Sequence, residues 1–440
     1  MMMLASILVF TGCGKKQVQS TSEPEKKSDE TTVVAKETVA EPKTEESITV
    51  WVQQFLGADK AEENKEMFLD FAEQFKKETG ITANIQVIPW ANRDQKMLMA
   101  FSANKGPDVV YLITDHLAQF SYMGILEPLE SYISDDVKND YLSSALDADT
   151  VDGHLYGVPM LMQMFAYAYN LDLLKEIGWD TSKLPETWDD LEKMFKMAKD
   201  HNCYGLLYEG GQNGNMSFYP WMWQAGGDVI DKKGNVVFNS EETRRATSKL
   251  TEWYQKGYMP KDSLTLVSDN QVYPIWESGK VCLFPCDAGR ITNYLTGKQQ
   301  VNFNIGIANP PKDKEQVLYG TVGSWCVATT SKNKEAAAAF IMKMTEPENM
   351  KLFLKKTGYL PPRKSLMNIY DGNEQLENMV KSLAYIRPGV VHPAGRTITN
   401  TLIPPFVQAA FIGKDIDQLL KDTTDSIQKA VDDSMALKTN

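Results

Sequence analysis

Nine tryptophans are the residues of this 440-residue chain best suited to chemistry with a ligand. An indole plane offers a flat apolar face on which a ring or a cation can pack, while a ligand's polar groups need fixed carboxylates and amides. Context separates the indoles. Trp188 opens a helix, Trp253 follows Leu250 at helical spacing, Trp276 precedes Glu-Ser-Gly-Lys and Trp51 lies inside a strand, so these four read as core. Trp221 and Trp223 follow Pro220 and the glycine-rich stretch GGQNGNMSFYPWMWQAGGD, read here as a loop leading into a helix. Ligand stacking and core packing are both open for that pair. Trp90 ends a strand-like run and Trp325 follows Gly323 and Ser324, which makes each a further stacking candidate.

The polar candidates come from the elements that must position them. ITVWVQQF reads as a buried strand, and a helix follows with Phe68, Phe71, Ala72 and Phe75 on one stripe and Gly80 beyond its end. ITANIQVIPW and PDVVYLI are the next strands, with a helix bearing Met97, Leu98 and Phe101 between them. Such alternation predicts a parallel sheet with ligands beyond the carboxyl ends of its strands. Gln53, Gln54, Trp90, Thr114 and Asp115 occupy those ends. A carboxylate such as Asp115 accepts bonds from paired hydroxyls, each contributing on the order of 1.5–3 kcal/mol; helix capping is its other reading. A second unit begins near Tyr167, with Thr187 and Asp190 as a capping box, and Asp287 and Arg290 follow its KVCLFP strand as cleft candidates.

The formal net charge of −12 disfavours nucleic acid as a partner. G-x-S-x-G, H-E-x-x-H and phosphate-loop motifs are missing, and His116, His154, His201 and His392 lack metal-ligand spacing. No catalysis, cofactor or metal is expected. Two alternatives stay open: a glycosidase using Asp115 and Asp287, and a binder of polyamines or other cations. Cys203, Cys282, Cys286 and Cys326 are too irregular for a disulfide scaffold and read as buried thiols, although Cys282 and Cys286 could meet across a turn.

Five motifs in order resemble the extracellular sugar-binding proteins that serve bacterial ABC importers. They are GPDVVYLITDHLAQFSYMGILEPL from Gly106, YGVPMLMQMFAYAYNLDLLKE, LPETWDDL, ESGKVCLF and TGYLPPR. The resemblance implies an α/β, two-lobed periplasmic-binding-protein-like fold, each lobe a mixed, mainly parallel sheet flanked by helices. It places hinge crossings near Leu161 to Met164, Gly320 to Gly323 and Gly358 to Pro362, giving a first lobe of 47–162 with 322–360 and a second of 163–321 with 361–440. It further implies that Asp115 binds sugar hydroxyls, that Gln163 stands where relatives carry a ligand-binding glutamate, and that the lobes close about the ligand. The implied partners are a sugar or oligosaccharide and the permease subunits, with the chain itself a monomer.

The first residues form an apolar stretch of signal-peptide type, 1–12, ending at Phe10-Thr11-Gly12-Cys13, which resembles a bacterial lipobox. Cys13 is expected to carry the lipid anchor. Residues 13–46, rich in Lys, Glu, Ser and Thr, read as a tether on the extracellular face of the cytoplasmic membrane.

Overall fold

The computed structural model describes residues 46–56, 60–90, 93–211 and 214–436; Cys13, the signal peptide and nearly all of the tether lie outside them. Eleven strands form among these residues. They are β1 (Ser47–Gln53), β2 (Thr82–Ile88), β3 (Val109–Ile113), β4 (Thr150–Val151), β5 (His154–Leu155), β6 (Val158–Asn170), β7 (Tyr204–Leu206), β8 (Val281–Asp287), β9 (Ile305–Ala308), β10 (Leu318–Val327) and β11 (Ile386–Arg387). Nine join in one sheet ordered β2-β1-β3-β10-β6-β8-β7, with β11 on β10 and β9 on β6, while β4 and β5 pair separately. The β1/β2, β1/β3, β7/β8 and β10/β11 pairs are parallel; β10 runs antiparallel to β3 and β6, and β6 antiparallel to β8 and β9.

Alternation sorts the first strands onto two faces. Val50, Val52, Val109 and Tyr111 enter one hydrophobic cluster, and Trp51, Val110 and Leu112 enter the other. Burial on both faces is why these strands read as unbroken apolar runs. The helix Ala61–Thr79 lays Met67, Phe68, Phe71, Ala72 and Phe75 on the first cluster and stops at Gly80, whose φ of 79° suits glycine. In the second lobe Thr187 Oγ1 accepts from Asp190 N at 3.2 Å and donates to Asp190 Oδ2 at 2.8 Å, starting the helix Trp188–Asp200. Cys282, Cys286 and Cys326 are buried and Cys203 is half-buried, and none of the four is in a disulfide. No helix among the described residues is long and apolar enough to cross a membrane.

Two strands run through both lobes. β6 pairs with β10 as far as Met164 and with β8 from Phe165 onward. Its Leu161 packs in one hydrophobic cluster and its Met162 in another. On β10 the change falls between Val322 and Trp325, where the β6/β10 register shifts at Gly323/Ser324. A third crossing segment lies alongside, since Leu360 and Met162 exchange backbone bonds of 2.8 and 3.0 Å. Gly323 is required there: a Cβ on it would meet the Tyr111 hydroxyl at 1.7 Å.

Beside this shift a carboxyl is buried without charge compensation. Asp149 is fully buried, and the Ser324 hydroxyl is the polar group that faces its carboxyl. Burial pushes the Asp149 carboxyl up to about 7, and the Ser324 hydroxyl offsets this only in part. A carboxyl raised in the folded state binds more protons there than in the unfolded chain. Its stabilising effect is therefore full below about pH 4 and is lost as pH rises toward about 7, with a slope of at most about 1.4 kcal/mol per pH unit. Asp149→Asn should remove that slope from urea-unfolding stabilities measured across the window. An unchanged profile would show that Asp149 is not the titrating group.

Candidate functional site

The residues at the carboxyl ends of β3 and β8 meet β10 and β6, Thr114 beside Thr321 and Asp287 beside Gln163. Asp115 follows β3 in the first turn of the helix Thr114–Tyr122 and is 5% exposed. Its Oδ2 lies 3.0 Å from Arg396 Nη1, and its Oδ1 accepts from the His116 backbone N–H at 3.0 Å. Arg396 belongs to the segment Gly395–Thr397, so this ion pair joins parts of the chain 281 residues apart. Burial alone would raise the Asp115 carboxyl, but Arg396, His116 and Arg93 outweigh it and hold it below the usual carboxylate range.

A polar path leads from Asp115 into the second lobe. Thr321 Oγ1 on β10 lies 3.4 Å from Thr114 Oγ1, and Gln163 on β6 is paired with Thr321. The Gln163 amide donates to the Asp287 carboxylate. Asp287 also caps the helix Ala288–Leu295, accepting from Arg290 N at 3.0 Å, and the Arg290 guanidinium lies 3.8 Å from the Tyr273 ring centre. Phe165 and Tyr319 stack beside this path with centroids 5.6 Å apart and planes inclined by 27°. On the first lobe, Trp90 is 42% exposed, its Nε1 donates to the Gln54 carbonyl, and its ring meets Phe55 edge-on at 6.0 Å. Gln53 is fully buried with neither amide atom hydrogen-bonded.

The structure thus links Asp115, Gln163 and Asp287 through hydrogen-bonded and paired neighbours, with Arg290 beside Asp287; Gln54 and Trp90 form a separate first-lobe group. Two indoles, Trp221 and Trp325, are packed in the core and need correction as stacking platforms, while Trp223 is covered by an arginine. Trp221, 1% exposed, is enclosed by Tyr167, Trp188 and Trp253 with centroids 5.5 to 6.1 Å away. Trp325 is fully buried against Tyr111 and Phe68. Trp223 is 2% exposed and lies beneath Arg387, whose guanidinium carbon is 4.7 Å from its ring centre. The supposed loop is in part a helix, Tyr219–Gln224, begun by Pro220 and buried at every position.

Sequence reasoning missed Arg387, Arg396, Asp228, Tyr219 and Tyr319. The first two sit in IRPGVVHPAGRT, where two prolines and two glycines mark an irregular segment capable of lining a cleft. Tyr219 and Tyr319 connect the group, since the Tyr219 hydroxyl is 3.2 Å from Thr399 Oγ1 and Asn215 Nδ2 is 3.5 Å from the Tyr319 hydroxyl. Among the described residues no cluster of three or more His, Cys, Asp and Glu could hold a metal ion.

The sequence profile of bacterial extracellular solute-binding proteins matches residues 70–377. The chain belongs to that family. This solute-binding protein is 26% identical over 352 residues to a binding protein of Brucella abortus, covering 78% of this chain and 84% of that one. It is 24% identical over 307 residues to the galactooligosaccharide-binding protein of Bacillus subtilis, covering 68% and 70% respectively. Maltose-bound MalE3 of T. maritima superposes with a TM-score of 0.74 at 20% identity, over 87% of this chain and 99% of that one. At that identity the likeness establishes the two-lobed fold of the solute-binding protein.

Proposed function

We propose that this protein captures a sugar or oligosaccharide between its lobes as the substrate-binding component of an ABC importer, anchored outside the membrane through Cys13. The observation that carries the reading is Asp115, a buried and ionised carboxylate at the lobe junction, reached from both lobes. A carboxylate offers about four acceptor directions, of which Arg396 and the His116 amide take two, leaving two for vicinal hydroxyls. The stacked Phe165/Tyr319 pair and the exposed Trp90 supply aromatic surface nearby. The named specificity of the galactooligosaccharide-binding relative supports the same ligand class.

Calorimetry and thermal shift against mono- and oligosaccharides test this, because a ligand of the folded state raises its melting temperature. At least one saccharide should bind, and Asp115→Asn should weaken it by about 1.5–3 kcal/mol, roughly ten- to a hundredfold. Stabilisation by polyamines alone would transfer the cleft to cationic ligands, and steady hydrolysis lost in Asp115→Asn would make the protein a glycosidase.

A further inference from the structure

Arg387, on β11, covers an indole. Its guanidinium rests over the Trp223 indole and is ion-paired with Asp228. Tyr219, one helical turn before Trp223, backs the indole with ring centres 5.5 Å apart. The Arg387 and Asp228 side chains are 38% and 28% exposed, while Trp223 is 2% exposed. The arginine is therefore the layer between the indole and solvent. This group adjoins the Asp115 site: Arg387 pairs with Tyr319 across β10 and β11, and Tyr219 is within electrostatic reach of both Asp115 and Asp228.

Both contacts holding Arg387 are individually weak. While their charged groups stay partly exposed, as the Arg387 and Asp228 side chains are, a guanidinium–indole contact and an ion pair are each worth on the order of fivefold in an equilibrium constant. A pyranose offers replacements for each, a C–H face for the indole and hydroxyls for the carboxylate. We propose that Arg387 covers a second sugar subsite, and that the next ring of a bound oligosaccharide displaces it, stacks on Trp223 and donates its hydroxyls to Asp228. This rests on the sugar-binding reading of the cleft and adds to it a preference for chains over single rings.

The test compares wild type, Arg387→Ala and the longer Arg387→Met, using glucose, maltose, maltotriose and their β-1,4-linked galactose counterparts. Removing the cover should strengthen binding of the longer sugars by on the order of three- to tenfold, with the monosaccharides unchanged. Adding Trp223→Phe should remove most of that gain. Without any sugar, acrylamide should quench indole fluorescence more strongly in Arg387→Ala than in wild type, and the increase should vanish in the Arg387→Ala/Trp223→Phe double variant. Weaker binding of all lengths would make Arg387 a direct ligand contact and overturn the proposal. Unchanged affinity with unchanged quenching would overturn it as well. Binding of another saccharide at Asp115 with no length-dependent gain in Arg387→Ala would overturn this proposal and leave the sugar reading standing.

Discussion

Trp221→Ala will destabilise the ligand-free second lobe by about 3–5 kcal/mol, the usual range for truncating a fully buried aromatic. The indole fills the middle of an aromatic cluster whose other members, Tyr167, Trp188 and Trp253, are themselves at most 4% exposed. They cannot all relax inward, so most of the removed volume remains as cavity. Ligand affinity per folded molecule should stay within about twofold of wild type, because Trp221 has no face on the junction. Urea unfolding of the apo protein followed by calorimetry well below the transition separates the two effects. Normal stability combined with lost binding would return Trp221 to the ligand site.

Arg396→Ala should have an effect of similar size through charge. Removing one partner strands Asp115 in a buried position, and such losses run about 3–5 kcal/mol. His116 and Arg93 still face the carboxylate and should hold the loss toward the lower end. The sign of its pH dependence is fixed. In wild type the Asp115 carboxyl is held below its ordinary range, so its contribution is present at neutral pH and is lost only as pH falls below that range. In the variant the largest opposing charge is gone and the carboxyl moves upward, so the deficit should be larger near about pH 7 than near about pH 4.5, where Asp115 binds a proton more readily. Adding Asp115→Asn should recover part of the lost stability at neutral pH. Equal deficits at both pH values, with no recovery in the double variant, would show that the pair contributes nothing through charge.

Much of the scaffold was legible because its signals are local. The stripe from Met67 to Phe75 with Gly80, the capping pair Thr187/Asp190 and the β-branched runs of β1 and β3 each declare an element within a few residues. Pairing direction is not local. Nothing in GSWCVAT announces that β10 runs antiparallel to both neighbours in the middle of the sheet. The site divides in the same way. Asp115 could be placed from its position after a strand, but Arg396 is 281 residues away, and no residue near either names the other. The Trp221/Trp223 pair was ambiguous because glycines before it suggest a loop, whereas Pro220 at a first helical turn and apolar neighbours on every side build a buried helix.

The route of β10 also bears on how the chain reaches this structure. β3 ends at Ile113, yet its neighbour in the sheet is residues 323–327, so the first lobe's sheet stays open until some two hundred further residues are available. Until then β3 presents an unpaired backbone edge, and β6 lacks its partner along residues 158–164. Closing so long a loop before its contacts reward it is slow relative to local pairing. The amino-terminal lobe therefore cannot mature as an independent unit during synthesis: an intermediate with its second lobe half made is still open in both.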